Sequence, residues 1–222
     1  MRLKRIARLV ISLLYISLLF WLAGRWDWWR GWAFIGLLIL GCISSVPYLW
    51  RKNPEMMKRR GEFGKGTKTW DIVVLVPFGL TFLTTPVVAA LDAQYQWSQM
   101  SPWLWFLGAG LYGFFVAFIT WAMAVNPHFE KTVRIQRDRN HQVISSGPYG
   151  IVRHPGYTAI ILGLVLATPV LLGSWWAFIP AILSTVCLII RTALEDRTLQ
   201  KELSGYQAYT RSVHYRLLPG LW

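Results

Sequence analysis

Apolar residues in this chain come in long runs rather than at amphipathic intervals. Residues 9–23, 31–50, 72–91 and 102–125 are each almost uninterrupted apolar stretches. A fifth, 158–190, is 33 residues long, and Pro169, Gly173 and Ser174 break its middle. Crossing a hydrocarbon core takes about 20 apolar residues, so the fifth run is too long for one span. It reads as a tight hairpin of two short helices. The pattern predicts an all-α, polytopic membrane protein with six segments. A membrane β-barrel would show short alternating strands instead. Pro47 sits near the end of the second segment, and Pro77 and Pro86 lie inside the third. Gly108 and Gly110 in the fourth predict close helix packing.

The polar connections differ sharply in charge. Residues 51–71 hold seven Lys/Arg against three acids, 126–157 hold five Lys/Arg and 191–222 five, and the start carries Arg2, Lys4, Arg5 and Arg8. The connections 24–30, 92–101 and the turn near 173 are poor in basic residues. The positive-inside rule then predicts both termini in the cytoplasm, with 136–157 and 191–222 on that same side. Trp26, Trp28 and Trp29 suit the opposite headgroup interface. The basic start before a short apolar run is similar to a signal peptide, but Trp21 to Trp26 offers no small-x-small cleavage site, which favours a retained first helix. No linker or internal repeat separates two halves. We expect an N-terminal four-helix region, 1–125, and a C-terminal core, 126–222, integrated in one domain.

A formal net charge of +13 could suggest nucleic acid. In a membrane protein it reads as orientation and contact with membrane lipids, and no basic segment carries a nucleic-acid reader motif. Cys42 and Cys187 lie in apolar runs, and the four His have no ligand spacing, so no disulfide framework or protein-bound metal is expected.

The chemistry concentrates in residues 136–157, a polar, turn-rich passage before the hairpin that holds His141, Tyr149, Arg153, His154 and Tyr157. Arg191, Glu195 and Asp196 follow the hairpin, and an antiparallel return brings 191 near 157. Arg191 and Glu195 stand at i, i+4, the spacing of an ion pair on one helix face. Charged groups at a membrane helix mouth are costly and suggest a site.

Gly147-Pro148-Tyr149, Arg153-His154-Pro155-x-Tyr157, the apolar hairpin, Arg191-x-x-x-Glu195-Asp196 and Gly205-Tyr206-x-x-Tyr209 together resemble the isoprenylcysteine carboxyl methyltransferase family and its phospholipid methyltransferase relatives. The resemblance covers about residues 126–219. It departs at Asp196, where the family usually has a second Glu. It implies an integral-membrane enzyme using S-adenosyl-L-methionine in a cytoplasmic pocket. It also implies cofactor contacts at Gln136, His141, Gln142, Val143 and Ile144, many through the backbone. Tyr149, His154, Pro155, Gly156 and Tyr157 would form the pocket wall, and Glu195 a further cofactor contact. Arg191 would face the methyl acceptor, with Arg191 and Glu195 as the catalytic pair.

Those residue types suit the chemistry. A carboxylate acceptor is already nucleophilic at neutral pH, so the protein's task is orientation. Arg191 could hold it through a bidentate contact, and aromatic walls could face a sulfonium. An amine or phenol acceptor would need a base, with His154 or Glu195 as the candidate. The expected partner is a lipophilic small molecule or lipidated group entering between helices. Two other classes are weighed. A sterol-type membrane reductase using NADPH resembles the His-Pro-x-Tyr segment, but there the pattern reads His-Pro-Asn-Tyr, and here Gly156 takes the Asn position. A non-enzymatic lipid-binding protein would be indifferent to the loss of Arg191 and His154.

Overall fold

A computed structural model describes residues 2–59 and 66–222. Residues 60–65 of the basic connection, and the side chains of Arg2, Lys4, Arg5 and Arg8, lie outside what is described. The described chain is helical and contains no strand. The helices are α1 (Arg2–Leu22), α2 (Trp29–Lys52), α3 (Pro54–Arg59), α4 (Thr69–Tyr95), α5 (Leu104–Val125), α6 (Pro155–Ala159), α7 (Ala167–Leu172), α8 (Phe178–Glu202) and α9 (Tyr206–Ser212). A π-helical turn, Ile160–Val165, joins α6 to α7, so Pro155–Leu172 is one continuous arm.

Five helical stretches are long and apolar enough to cross a membrane, and α1 contributes a shorter apolar piece, Leu9–Leu22. Their outward faces carry large exposed apolar side chains such as Leu14, Ile43, Val73 and Leu80. In water this would be an aggregation hazard, whereas in lipid it is the contact surface. The chain is an integral membrane protein.

The first arm of the hairpin is the most enclosed span, and α8 returns beside α4, its most extensive partner. Val165, Ala167 and Leu171 are fully buried. The arm lies against α5 because Gly163 has no side chain: a Cβ there would stand 2.4 Å from the Phe115 Cβ and 2.5 Å from the Leu111 carbonyl oxygen. The π-turn closes through the Leu166 N–H donating to the Ile161 carbonyl at 3.0 Å. Of the expected glycine pair on α5, only Gly108 packs closely, against Leu171, while Gly110 faces open space. Helical spacing explains the difference: two residues apart, they point to different sides.

The hairpin turns at Gly173 (φ +80°), whose N–H and that of Ser174 both donate to the Pro169 carbonyl. There the three base-poor connections meet. Asp92 on α4 accepts hydrogen bonds from the Ser98 N–H (2.7 Å) and from the hydroxyls of Ser98 and Ser174 (2.5 Å each). Arg30 donates to the carbonyls of Val170 and Met100. Exposed Trp26, Trp97, Trp103, Trp175 and Trp176 ring this end, as aromatic residues do at a headgroup interface.

Candidate functional site

At the other end of the bundle, the 126–154 connection folds over the mouths of α4 and α8. Its anchors are side chains. The Asn53 amide, just past α2, donates to the carbonyls of Met123 and Asn126 at 3.0 Å each. The Asn126 amide donates to the Tyr149 hydroxyl at 2.8 Å, and the Tyr209 hydroxyl to the Tyr149 carbonyl at 2.6 Å. Burial pushes the Tyr149 phenol well above its ordinary range, so it stays protonated. Gly156 permits the fold-over, since a Cβ there would lie 2.8 Å from the Phe129 ring.

Beneath this cover lies a cavity of about 450 Å³. Every expected site residue lines it: Gln136, His141, Gln142, Val143, Ile144, Tyr149, His154, Pro155, Gly156, Tyr157, Arg191 and Glu195. Its lining combines the polar His128, Glu130, Arg134, Gln136, His141 and Gln142 with the apolar Leu75, Phe78, Phe129 and Ile160.

The polar wall is built around Gln136, which is buried. Its amide donates to the His128 carbonyl at 2.7 Å, and its Oε1 accepts from Arg139 at 3.1 Å and lies 3.3 Å from His128 Nδ1. An acceptor at that distance puts the His128 hydrogen on Nδ1, and His128 Nε2 then accepts from the Gln142 N–H. His141 Nδ1 accepts from the Gln136 N–H at 3.4 Å, which leaves its hydrogen on Nε2. Burial lowers the pKa of both imidazoles, that of His141 to about 4, helped by His128, Arg134 and Arg139 nearby. Both are neutral at pH 7. The main-chain groups of Val143 and Ile144 make no hydrogen bond to another described residue.

The inner end is made by α6 and α8. Tyr157 donates to Glu195 Oε2 at 2.5 Å, and the Arg191 guanidinium lies 5.2 Å from the centre of the Tyr157 ring. The ion-pair partner of Arg191 is Asp71, not Glu195: Nε to Oδ1 is 2.7 Å and Nη2 to Oδ2 is 3.3 Å. Nη2 also donates to the Lys131 carbonyl at 2.6 Å. The edge that would make a bidentate contact with an acceptor is therefore occupied, and Nη1 alone makes no hydrogen bond among the described residues. Helical spacing placed Arg191 and Glu195 on one face, but a fully buried carboxylate from α4 outcompetes the neighbour on its own helix.

Asp196, the position that departs from the family pattern, does not line the cavity. It is fully buried behind the wall. It accepts from Arg153 Nε (2.8 Å) and Nη2 (3.0 Å), Arg216 Nε (2.8 Å), Gln200 (2.8 Å) and the Tyr206 hydroxyl (3.0 Å), and lies 3.3 Å from His154 Nε2. Arg153 also donates to the carbonyls of Val213 and His214, so the chain after α9 is stitched to the Arg153-His154 segment. Sequence reasoning missed Asp71, His128 and Phe129. Asp71 alone carried a signal: it is an acid at the threshold of an apolar run.

Residues 109–201 match the model of the Isoprenylcysteine carboxyl methyltransferase (ICMT) family. The chain is also 25% identical over 174 residues, 77% of its length, to the uncharacterized protein YpbQ of Bacillus subtilis (strain 168), of which the match covers 96%. The matched stretch contains all twelve expected wall residues, from Gln136 to Glu195. Residues 109–201, within this integral membrane protein, thus carry the similarity to that family.

Proposed function

We propose that the protein transfers a methyl group from S-adenosyl-L-methionine to a lipophilic acceptor, a carboxylate of the isoprenylcysteine type. One observation carries the reading. A single cavity is lined by a polar wall whose main-chain groups at Val143 and Ile144 are unpaired among the described residues, by the aromatic and charged Tyr157, Arg191 and Glu195, and by apolar Leu75, Phe78 and Ile160.

The residues present suit such a cofactor. The half-buried main-chain donors and acceptors of Val143 and Ile144 would hold a polar ring edge of such a cofactor, which would supply the partners they need. Neutral His128 and His141 add no repelling charge against a cationic ligand. When bound, the cofactor supplies an electrophilic methyl on a sulfonium that departs as a neutral thioether. The protein's part is placement. Tyr157, fixed by Glu195, offers an aromatic face and keeps the carboxylate from turning away. Arg191, held by Asp71 and Lys131, leaves Nη1 for the acceptor carboxylate. No base is required for that acceptor, and orientation of this kind can contribute about 7–11 kcal/mol. In this reading the apolar lining at Leu75, Phe78 and Ile160 receives the lipid chain of the acceptor. In this reading the cavity and both termini face the cytoplasm, with six segments across the bilayer.

The test is calorimetric titration of the detergent-purified protein with S-adenosylmethionine, its demethylated product and NADPH. The first two should bind and NADPH should not. Binding of NADPH alone would replace this reading with a reductase. Arg191→Lys should keep cofactor affinity and lose turnover, because an ammonium cannot hold Asp71 and Lys131 while presenting a further donor.

A further inference from the structure

We propose that Asp71 is a positioning residue for methyl transfer, acting from outside the family-matched stretch by fixing Arg191 in the one orientation that presents Nη1 to the acceptor. The proposal rests on the reading of Arg191 as the acceptor-facing residue.

Asp71 lies in the first turn of α4 and is fully buried, yet it does not line the cavity. The hydrogen bonds of its carboxylate all go to residues that line the cavity. Oδ1 takes Arg191 Nε at 2.7 Å, and Oδ2 takes Arg191 Nη2 at 3.3 Å and the Val133 N–H at 2.8 Å. Arg191 reaches the same loop independently through the Lys131 carbonyl. Around this junction the chain before α4 clasps the loop. The Lys68 N–H donates to the Val133 carbonyl at 3.0 Å, and the Thr67 hydroxyl to Thr132 at 3.1 Å.

The geometry has two consequences. A planar guanidinium held at Nε and Nη2 has no rotational freedom left, so Nη1 is aimed by Asp71 and not by the ligand. The charge on Arg191 is also shared with the Asp71 side chain, which favours an acceptor that docks without displacing Asp71. An ion pair needed only for stability would not require a cavity-lining partner or a bond to the loop. α4 is thereby part of the transfer machinery, although the matched stretch begins after it.

The test is a double-mutant cycle on the full chain with Asp71→Asn, Arg191→Lys and the pair. Transfer to N-acetyl-S-farnesylcysteine is measured as kcat and KM, and cofactor affinity by calorimetry. Asp71→Asn should lower kcat by about 10- to 100-fold while cofactor Kd moves less than about threefold, and the double variant should be no slower than Arg191→Lys. Additive losses, an unchanged kcat, or an equal loss of cofactor affinity would overturn the proposal. If the wild type binds cofactor but does not methylate this probe, the acceptor assignment fails, and Asp71 is judged without an acceptor. Phenylglyoxal modification of Arg191, followed by mass spectrometry, should then be severalfold faster in Asp71→Asn, on the order of the release of a buried pair. An unchanged rate would end the proposal.

Discussion

Replacing Asp196 by Asn would remove the carboxylate shared by Arg153 and Arg216 while keeping the volume of the side chain. Arg153 is nearly enclosed, its side chain 6% exposed, whereas Arg216 is 29% exposed and can recover water. Breaking one buried pair costs about 3–5 kcal/mol, because a charge is left without its counterion. Arg153 keeps the carbonyls of Val213 and His214, and the Asn oxygen still accepts one bond, so the lower end, about 3 kcal/mol, applies. Against a total of about 5–15 kcal/mol this is a large share. At roughly 2–4 °C per kcal/mol for a chain of this size, thermal unfolding in nanodiscs should fall by about 6–12 °C. Asp196→Glu keeps the charge but forces a methylene into a closed site, at about 1–3 kcal/mol. The two variants separate charge from volume. Unfolding of Asp196→Asn within about a degree of wild type would show that the carboxylate does not hold Arg153 and the chain after α9 together, and the reasoning would be wrong.

Gly163→Ala should lower the unfolding temperature through an overpacking cost of about 1–3 kcal/mol, since Phe115 and the Leu111 carbonyl leave no room. Gly36→Ala, which meets open space, should be neutral or slightly stabilising, and equal effects of the two would contradict the packing account. Glu195→Gln should weaken cofactor binding by loosening Tyr157, so an unchanged calorimetric affinity would remove Glu195 from the cofactor wall. The imidazoles set a pH dependence. Both have folded pKa values below the ordinary 6.5, so the folded state binds fewer protons than the unfolded one. The stability they contribute is present above about pH 6.5 and is lost as pH falls toward 4, and cofactor affinity should fall over the same range as cations appear in the wall. Calorimetry showing tighter binding at pH 5 than at pH 7.5 would refute the neutral-wall assignment.

The membrane segments were legible because lipid demands long apolar runs, and the end-to-end alternation of charged loops was legible for the same reason. The wall from Tyr149 to Tyr157 was legible because its residues are contiguous and lead directly into an arm that starts at Pro155. Asp71 was not legible as a partner of Arg191. Their contact spans 120 positions and depends on how α4 packs on α8, which no local pattern encodes. The π-turn at 160–165 was hidden too, because it answers to the close approach of α5 and not to the propensities of its own residues. Asp196 stood out in the sequence only as the position that departs from the family pattern, next to Glu195. One step along a helix instead turned it away from the cavity and into a cluster of arginines.

The pairing of Asp71 with Arg191 also bears on how the chain is made. Translation delivers α4 long before α8, so this carboxylate reaches the bilayer while its counterion has yet to be synthesised. A lone acid costs up to about 2.5–3.5 kcal/mol at the centre of a span and less near its end. The helix that carries Asp71 is long and strongly apolar, and the acid sits in its first turn. Insertion of α4 therefore tolerates the charge by itself, and arrival of α8 converts a biosynthetic burden into the fixed geometry of the finished site.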